Sequence, residues 1–165
     1  MIKFDKLFRI IITMKLDETD INLLELLQAD SKKTTKEYAL KLGLSTTAIY
    51  ERIKRLERTG AIRNYVALVD KAVVDRNFTV FCHVKLVQHV KDNIAQFEAQ
   101  VLRLQEVVEC HHLSGDYDYL LKIHVQDMEA YRNFMVNKLT AMNHIGSTQS
   151  SFTIKEVKHS TAIPL

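Results

Sequence analysis

Five basic side chains, Arg52, Lys54, Arg55, Arg58 and Arg63, fall in one short stretch opposed there only by Glu57. Cations at that density suit phosphate, and the competing reading is a solvated helix face. Ahead of them Ser45, Thr46 and Thr47 carry short hydroxyl side chains, which approach base edges when a helix end enters a groove. A second group, Cys110-His111-His112 with Cys82, His83, His124, Asp116 and Asp118 elsewhere, has metal-ligating residue types. Adjacent strand residues point to opposite faces, and neither a Cys-x-x-Cys nor a His-x-x-x-His pair occurs. These therefore read as ordinary sheet residues, and no metal is expected. A third group, residues 114–119, combines backbone donors, Asp116 and Asp118, and the phenols of Tyr117 and Tyr119. It reads either as a plain hairpin turn or as a small zwitterion site. In the second reading a carboxylate such as Asp118 meets an ammonium, free N–H groups around Gly115 meet a carboxylate, and Thr148 and Ser150 add hydroxyls. Cys110 reads as a sheet residue, and the chain contains no Gly-x-Ser-x-Gly elbow and no Gly-rich phosphate loop. It is not expected to be an enzyme, nor to carry a cofactor.

The elements that must hold these residues follow from periodicity and caps. Asp17 with Asp20 has capping-box spacing, and Ile21, Leu24 and Leu27 repeat on one helical face up to about Ala29. Thr34 with Glu37 opens a second, short helix carrying Tyr38, Leu40 and Leu42, which Gly43 ends. Ser45 caps a third from Thr46 to Thr59, with Ile49, Ile53 and Leu56 as its buried stripe and Thr46, Thr47, Tyr50, Lys54 and Arg58 elsewhere. Two helices around a Gly-containing turn, the second basic and opening on hydroxyl residues, form a helix-turn-helix. Residues 61–68 read as a strand, either a wing or the start of a linker.

Residues 69–77 lose clean periodicity and mark a boundary. Beyond it come a strand from Phe78 to Leu86, a helix from Asp92 to Leu102, strands from Val107 to Leu113 and from Tyr119 to Val125, a helix capped by Asp127, and a last strand from about Thr148 to His159. That order, βαββαβ, is the ferredoxin-like motif, with helices on one sheet face and the other open. Phe81, Leu120 and Val108 fall on the open side, too apolar for water, so that face is expected to meet another subunit.

Composition agrees with a soluble globular chain: 165 residues, 47% hydrophobic and 26% charged, with one proline and four glycines. No apolar run approaches the ~18 residues that span a bilayer, and two cysteines fit a reducing compartment. The net charge of +3 is uneven, with +2 in residues 1–14, +2 in 15–64 and −1 in 65–165. Residues 1–14 contain Arg9 inside their apolar stretch and lead to no small-residue cleavage site, so they are not read as an export signal.

From Leu16 onward the chain resembles the Lrp/AsnC, or feast/famine, family of prokaryotic transcription regulators. The motifs that carry the likeness are LDETDINLLELLQADSKKT, LGLSTTAIYERIKRLERTGAI, VVECHHLSGDYDYLLKIHV and the final IPL. The resemblance implies an α+β protein with an N-terminal winged helix-turn-helix domain, a hinge strand, and a C-terminal ferredoxin-like βαββαβ domain that dimerises through its sheet and often forms octamers. It also implies amino-acid effectors near a Gly-Asp-Tyr-Asp turn, here Gly115, Asp116, Tyr117 and Asp118, with Thr148 and Ser150 beside them. Residues 1–13 have no family counterpart, and the 69–77 segment lacks the glycine expected of the hinge.

The expectations are therefore a helix-turn-helix domain at 15–62, a hinge strand and linker at 63–77, and an effector-binding and oligomerisation domain at 78–165. Double-stranded DNA is expected to meet Ser45, Thr46, Thr47, Tyr50, Arg52, Lys54, Arg55 and Arg58. The chain is expected to act in the cytoplasm, without a membrane, as a homodimer or octamer with an amino-acid effector. The rival is a small-molecule-sensing or assembly module whose helical part makes only protein contacts.

Overall fold

Each helix of the N-terminal region starts where a side chain accepts its unpaired N–H groups. In the computed structural model, which describes residues 15–88 and 90–165, helix α1 spans Glu18–Ala29, α2 spans Thr35–Leu42 and α3 spans Thr46–Arg58. The reading of residues 1–14 lies outside the described residues. Asp20 N–H donates to Asp17 Oδ1 at 2.8 Å and Asp17 N–H to Asp20 Oδ2 at 3.2 Å, a complete capping box. Thr34 and Glu37 form the same box on α2, and Ser45 Oγ accepts from Ala48 N–H at 3.1 Å on α3. Gly43 ends α2 at φ 65°, where a side chain would strain the backbone, and so sets the turn into α3.

These helices close on Leu23, Leu27, Tyr38, Ala39, Ile49 and Leu56. Two expectations about the stripe are corrected. On α1 the fully buried residues are Asp20, Leu23 and Leu27, with Ile21 and Leu24 at the margin, because packing rotates the helix to take a carboxylate inside. On α2 Leu40 is 84% exposed, since it lies nearly half a turn from Tyr38 and the core takes Tyr38 and Ala39 instead.

No ladder forms over 61–68, so the expected hinge strand or wing is not a strand within this chain. An extended segment becomes a strand only when another pairs with it. Tyr65 instead donates its hydroxyl to Glu57 Oε1 at 3.2 Å.

The second region contains β1 Phe78–Leu86, α4 Lys91–Val101, β2 Val107–His112, β3 Tyr119–Val125, α5 Met128–Phe134 running into a π-helical turn Met135–Leu139, and β4 Ile145–Phe152. Its sheet is antiparallel in the order β2-β3-β1-β4. Val80, Cys82, Val84 and Leu86 alternate with Phe81, His83 and Lys85, and Tyr119, Leu121, Ile123 and Val125 with Leu120, Lys122 and His124. The first set meets Phe97 and Val101 of α4 and Tyr131 and Phe134 of α5 in one core. Phe81 and Leu120 are half-buried on the opposite face.

The last strand starts and stops earlier than its sequence suggests. It pairs with β1 alone, up to Phe152 opposite Val80, and one further bond, Thr153 N–H to Thr79 O at 3.1 Å, ends the contact. The described chain falls into two compact units, one reaching Ala67 and including Lys158–Leu165, the other Leu68–Val157. The final residues group with the helices rather than with the sheet domain. Gln28 Oε1 accepts from Ile163 N–H at 2.7 Å and Gln28 Nε2 donates to Ile163 O at 3.0 Å.

Candidate DNA and effector sites

Helix α3 separates its charges by partner. Thr46, Thr47, Tyr50, Lys54 and Arg58 are exposed, as is the cap Ser45. Lys54 Nζ donates to Glu57 Oε2 at 2.9 Å and lies 5.7 Å from the Tyr50 ring centroid. The Glu57 hydrogen bond raises the Lys54 pKa, and Lys54 in turn lowers that of Glu57. Burial, then the Glu57 charge, pushes Tyr65 up to about 12. A short ion pair between side chains three residues apart on one helix is weak. Arg58 has a solvent-facing position at the end of the helix.

Arg52 and Arg55 are placed differently. Arg52 Nη1 reaches Asp17 Oδ2 and Asp20 Oδ1, each at 2.7 Å, and Arg55 Nη2 reaches both oxygens of Asp20 at 2.5 and 2.6 Å. The Arg52 bond holds Asp17 below the usual carboxylate range and Asp17 raises Arg52. The sequence reading groups these two arginines with Lys54 and Arg58 and gives Asp20 only its capping role. The spacing of Asp20, Leu23 and Leu27 at three and four residues was the available signal.

The turn before β3 is held at several points. Gly115 has φ 139°. Asp118 N–H donates to Val84 O at 2.9 Å, its carbonyl accepts from Leu113 N–H at 2.8 Å, and its Oδ2 accepts from Leu86 N–H at 2.7 Å. Asp116 is exposed. Tyr117 donates its hydroxyl to Gln149 Oε1 at 2.6 Å and packs 5.1 Å from the His83 ring. Gln149 and His83 are contacts that sequence reasoning missed, because they arise from the register that pairs these two residues.

Thr148 and Ser150 do not share that side of the sheet. They pair with Val84 and Cys82, whose side chains face the helices. Ser150 Oγ lies 2.5 Å from the Tyr131 hydroxyl, and burial pushes that hydroxyl up to about 12. Within one chain, Asp118 and Thr148 flank the same end of β1, while Ser150 lies deeper, beneath α5. Cys82 is buried and Cys110 exposed, and the described residues contain no His, Cys, Asp and Glu cluster able to hold a metal.

An AsnC-type helix-turn-helix domain profile matches residues 16–57, and a Lrp/AsnC ligand-binding domain profile matches 79–163. The chain belongs to the Lrp/AsnC family of transcription regulators. It is 39% identical to the leucine-responsive regulatory protein of Salmonella typhimurium and 38% to that of Escherichia coli, each over 148 residues and 90% of both chains. A solved transcriptional regulator from Neisseria meningitidis in complex with L-Met matches with a TM-score of 0.87 and 35% identity, covering 91% of this chain and 97% of that one. An AsnC family regulator from Agrobacterium tumefaciens matches equally well, at 36% identity, a TM-score of 0.87 and coverage of 90% and 97%. Family membership accounts for the two-unit plan: a helix-turn-helix domain for DNA and a ligand-binding domain on a ferredoxin-like sheet. No helix among the described residues is long and apolar enough to cross a membrane.

Proposed function

We propose that this Lrp/AsnC regulator places α3 in the major groove of double-stranded DNA. Thr46, Thr47 and Tyr50 then meet base edges, Lys54 and Arg58 meet phosphate, and the N-terminus of α3 around Ser45 lies against the backbone. The observation that carries this reading is the exposed face of α3, where hydroxyl, phenol and cationic side chains lie together without a core contact. Short side chains at the helix start specify, and cations further along position. Selection from random duplexes tests it. Thr47→Ala shifts the selected consensus, and an unchanged consensus would place Thr47 off the bases.

The regulator acts in the cytoplasm, and its open sheet face supports assembly into a homodimer or octamer, since Phe81 and Leu120 present apolar surface there. The ligand is an amino acid, as in the Neisseria meningitidis neighbour with L-Met. The 115–118 turn supplies unhindered N–H groups around Gly115 for its carboxylate and the exposed carboxylate of Asp116 for its ammonium. Tyr117 and Asp118 hold the turn in shape, and Thr148 flanks the same end of β1. Ser150, bonded to Tyr131, acts through the strand beneath. A thermal-shift screen with the twenty amino acids identifies the ligand by the stabilisation it confers. Asp116→Ala then abolishes the calorimetric heat of the best binder, and an unchanged heat would place that ligand elsewhere.

A further inference from the structure

Asp20 is fully buried. A carboxylate buried inside a domain persists only with directional partners, and here both side-chain partners come from α3. Arg55 grips both oxygens, and Arg52 bridges Asp20 to Asp17. Asp17 and Asp20 are also the reciprocal caps of α1. The first turn of α1 is thereby tied to two successive turns of α3.

At about 100° per residue, Thr46, Thr47, Tyr50, Lys54 and Arg58 fall within a sector of roughly 120° on α3. Arg55 and Arg52 lie about 60° and 120° past its edge, towards the stripe of Ile49 and Leu56. Apolar packing alone tolerates small rotations of a helix, whereas planar guanidinium groups bonded to a fixed carboxylate have narrow angular freedom.

We propose that Asp20 is a positioning residue for DNA readout: with Arg52 and Arg55 it clamps the rotation of α3, and these two arginines serve the clamp rather than phosphate. This inference rests on the reading that α3 lies on DNA. Rotating the helix by a fraction of a turn would move Thr47 and Tyr50 off their bases while leaving cations near the backbone.

The test is a fluorescence-anisotropy titration of the full chain against a selected operator and an unrelated duplex, over a salt series. Arg55→Ala keeps the wild-type slope of log K against log salt, because no phosphate contact is lost. Arg55→Lys keeps the charge but not the planar fork, so it lowers the ratio of operator to unrelated affinity about tenfold or more and leaves unrelated binding near wild type. A slope reduced by about one in Arg55→Ala would make Arg55 a phosphate contact and overturn the clamp. So would an unchanged affinity ratio in Arg55→Lys. If Arg55→Ala does not fold, as circular dichroism reports, Arg55→Lys decides alone. A wild-type chain that bound no duplex would overturn the DNA reading itself, and the clamp with it.

Discussion

Asp118 Oδ2 accepts the main-chain N–H of Leu86 at 2.7 Å, at the point where the β1–β4 register shifts between Lys85 and Leu86. The β1–β3 ladder ends at the pair Val84–Tyr119, and beyond that end the carboxylate takes the N–H that no β3 carbonyl meets. Asp118→Ala therefore leaves a buried donor unpaired and lowers stability by about 1–3 kcal/mol. Asp118→Asn keeps an acceptor oxygen and loses less. Urea unfolding of the two variants measures this, and equal midpoints would show that the bond contributes nothing.

The open sheet face gives a second prediction. Phe81 and Leu120 are half-buried there, beside the ion pair of Lys122 with Glu109 at 2.8 Å. Phe81→Asp sets an unpaired charge against a second copy and shifts the chain towards monomer. Sedimentation at micromolar concentration reads the change. A wild-type chain that is monomeric there would remove the interface.

His124 supplies a pH dependence. Burial, then the Lys71 and Lys122 ammoniums, holds its pKa below the ordinary 6.5, and its Nδ1 lies 2.9 Å from Thr79 Oγ1. A depressed folded pKa means that the unfolded chain takes up the proton first. The contribution is full above about pH 6.5, is lost as pH falls through that value towards the folded one, and changes no further below it. His124→Gln removes this segment of the stability curve. Glu109, held low chiefly by Lys122, acts in a separate window below its ordinary 4.5. Unfolding midpoints at about pH 7.5 and 5.5 make the comparison, and an identical pH difference in His124→Gln would assign it to another group.

Local chemistry was legible in the sequence and rotation and pairing were not. The caps at Asp17, Thr34, Ser45 and Asp127 and the left-handed end at Gly43 depend on residues within four positions, so spacing reveals them. Leu40 is exposed although its helix pattern placed it with the core, and Asp20, read only as a cap, is buried, because the rotation of a helix is settled by what packs on it. Residues 61–68 have strand composition without a strand, and β4 ends at Phe152, because pairing depends on a distant partner. On α3 and just beyond it, the five basic side chains look alike in sequence. Only the fold shows that Arg52 and Arg55 turn towards Asp17 and Asp20. At the turn, composition singles out Asp116, Tyr117 and Asp118 as candidates, while the bond of Tyr117 to Gln149 comes from sheet register.

The C-terminal strap makes a fourth prediction. Gln28 holds Ile163 by two hydrogen bonds to its main chain, and exposed bonds of this kind contribute about 0.5–1.5 kcal/mol each. Gln28→Ala frees the tail, so trypsin cleaves after the exposed Lys158 faster than in wild type. An unchanged rate would show that Gln28 does not restrain it.

The central claim, that the exposed face of α3 carries the DNA contacts, is tested most directly by the salt dependence of operator binding in Lys54→Ala and Arg58→Ala. Each variant loses affinity, and the slope of log K against log salt falls in magnitude by about one for each phosphate contact removed. Wild-type affinity and slope in both variants would show that this face of α3 does not lie on DNA.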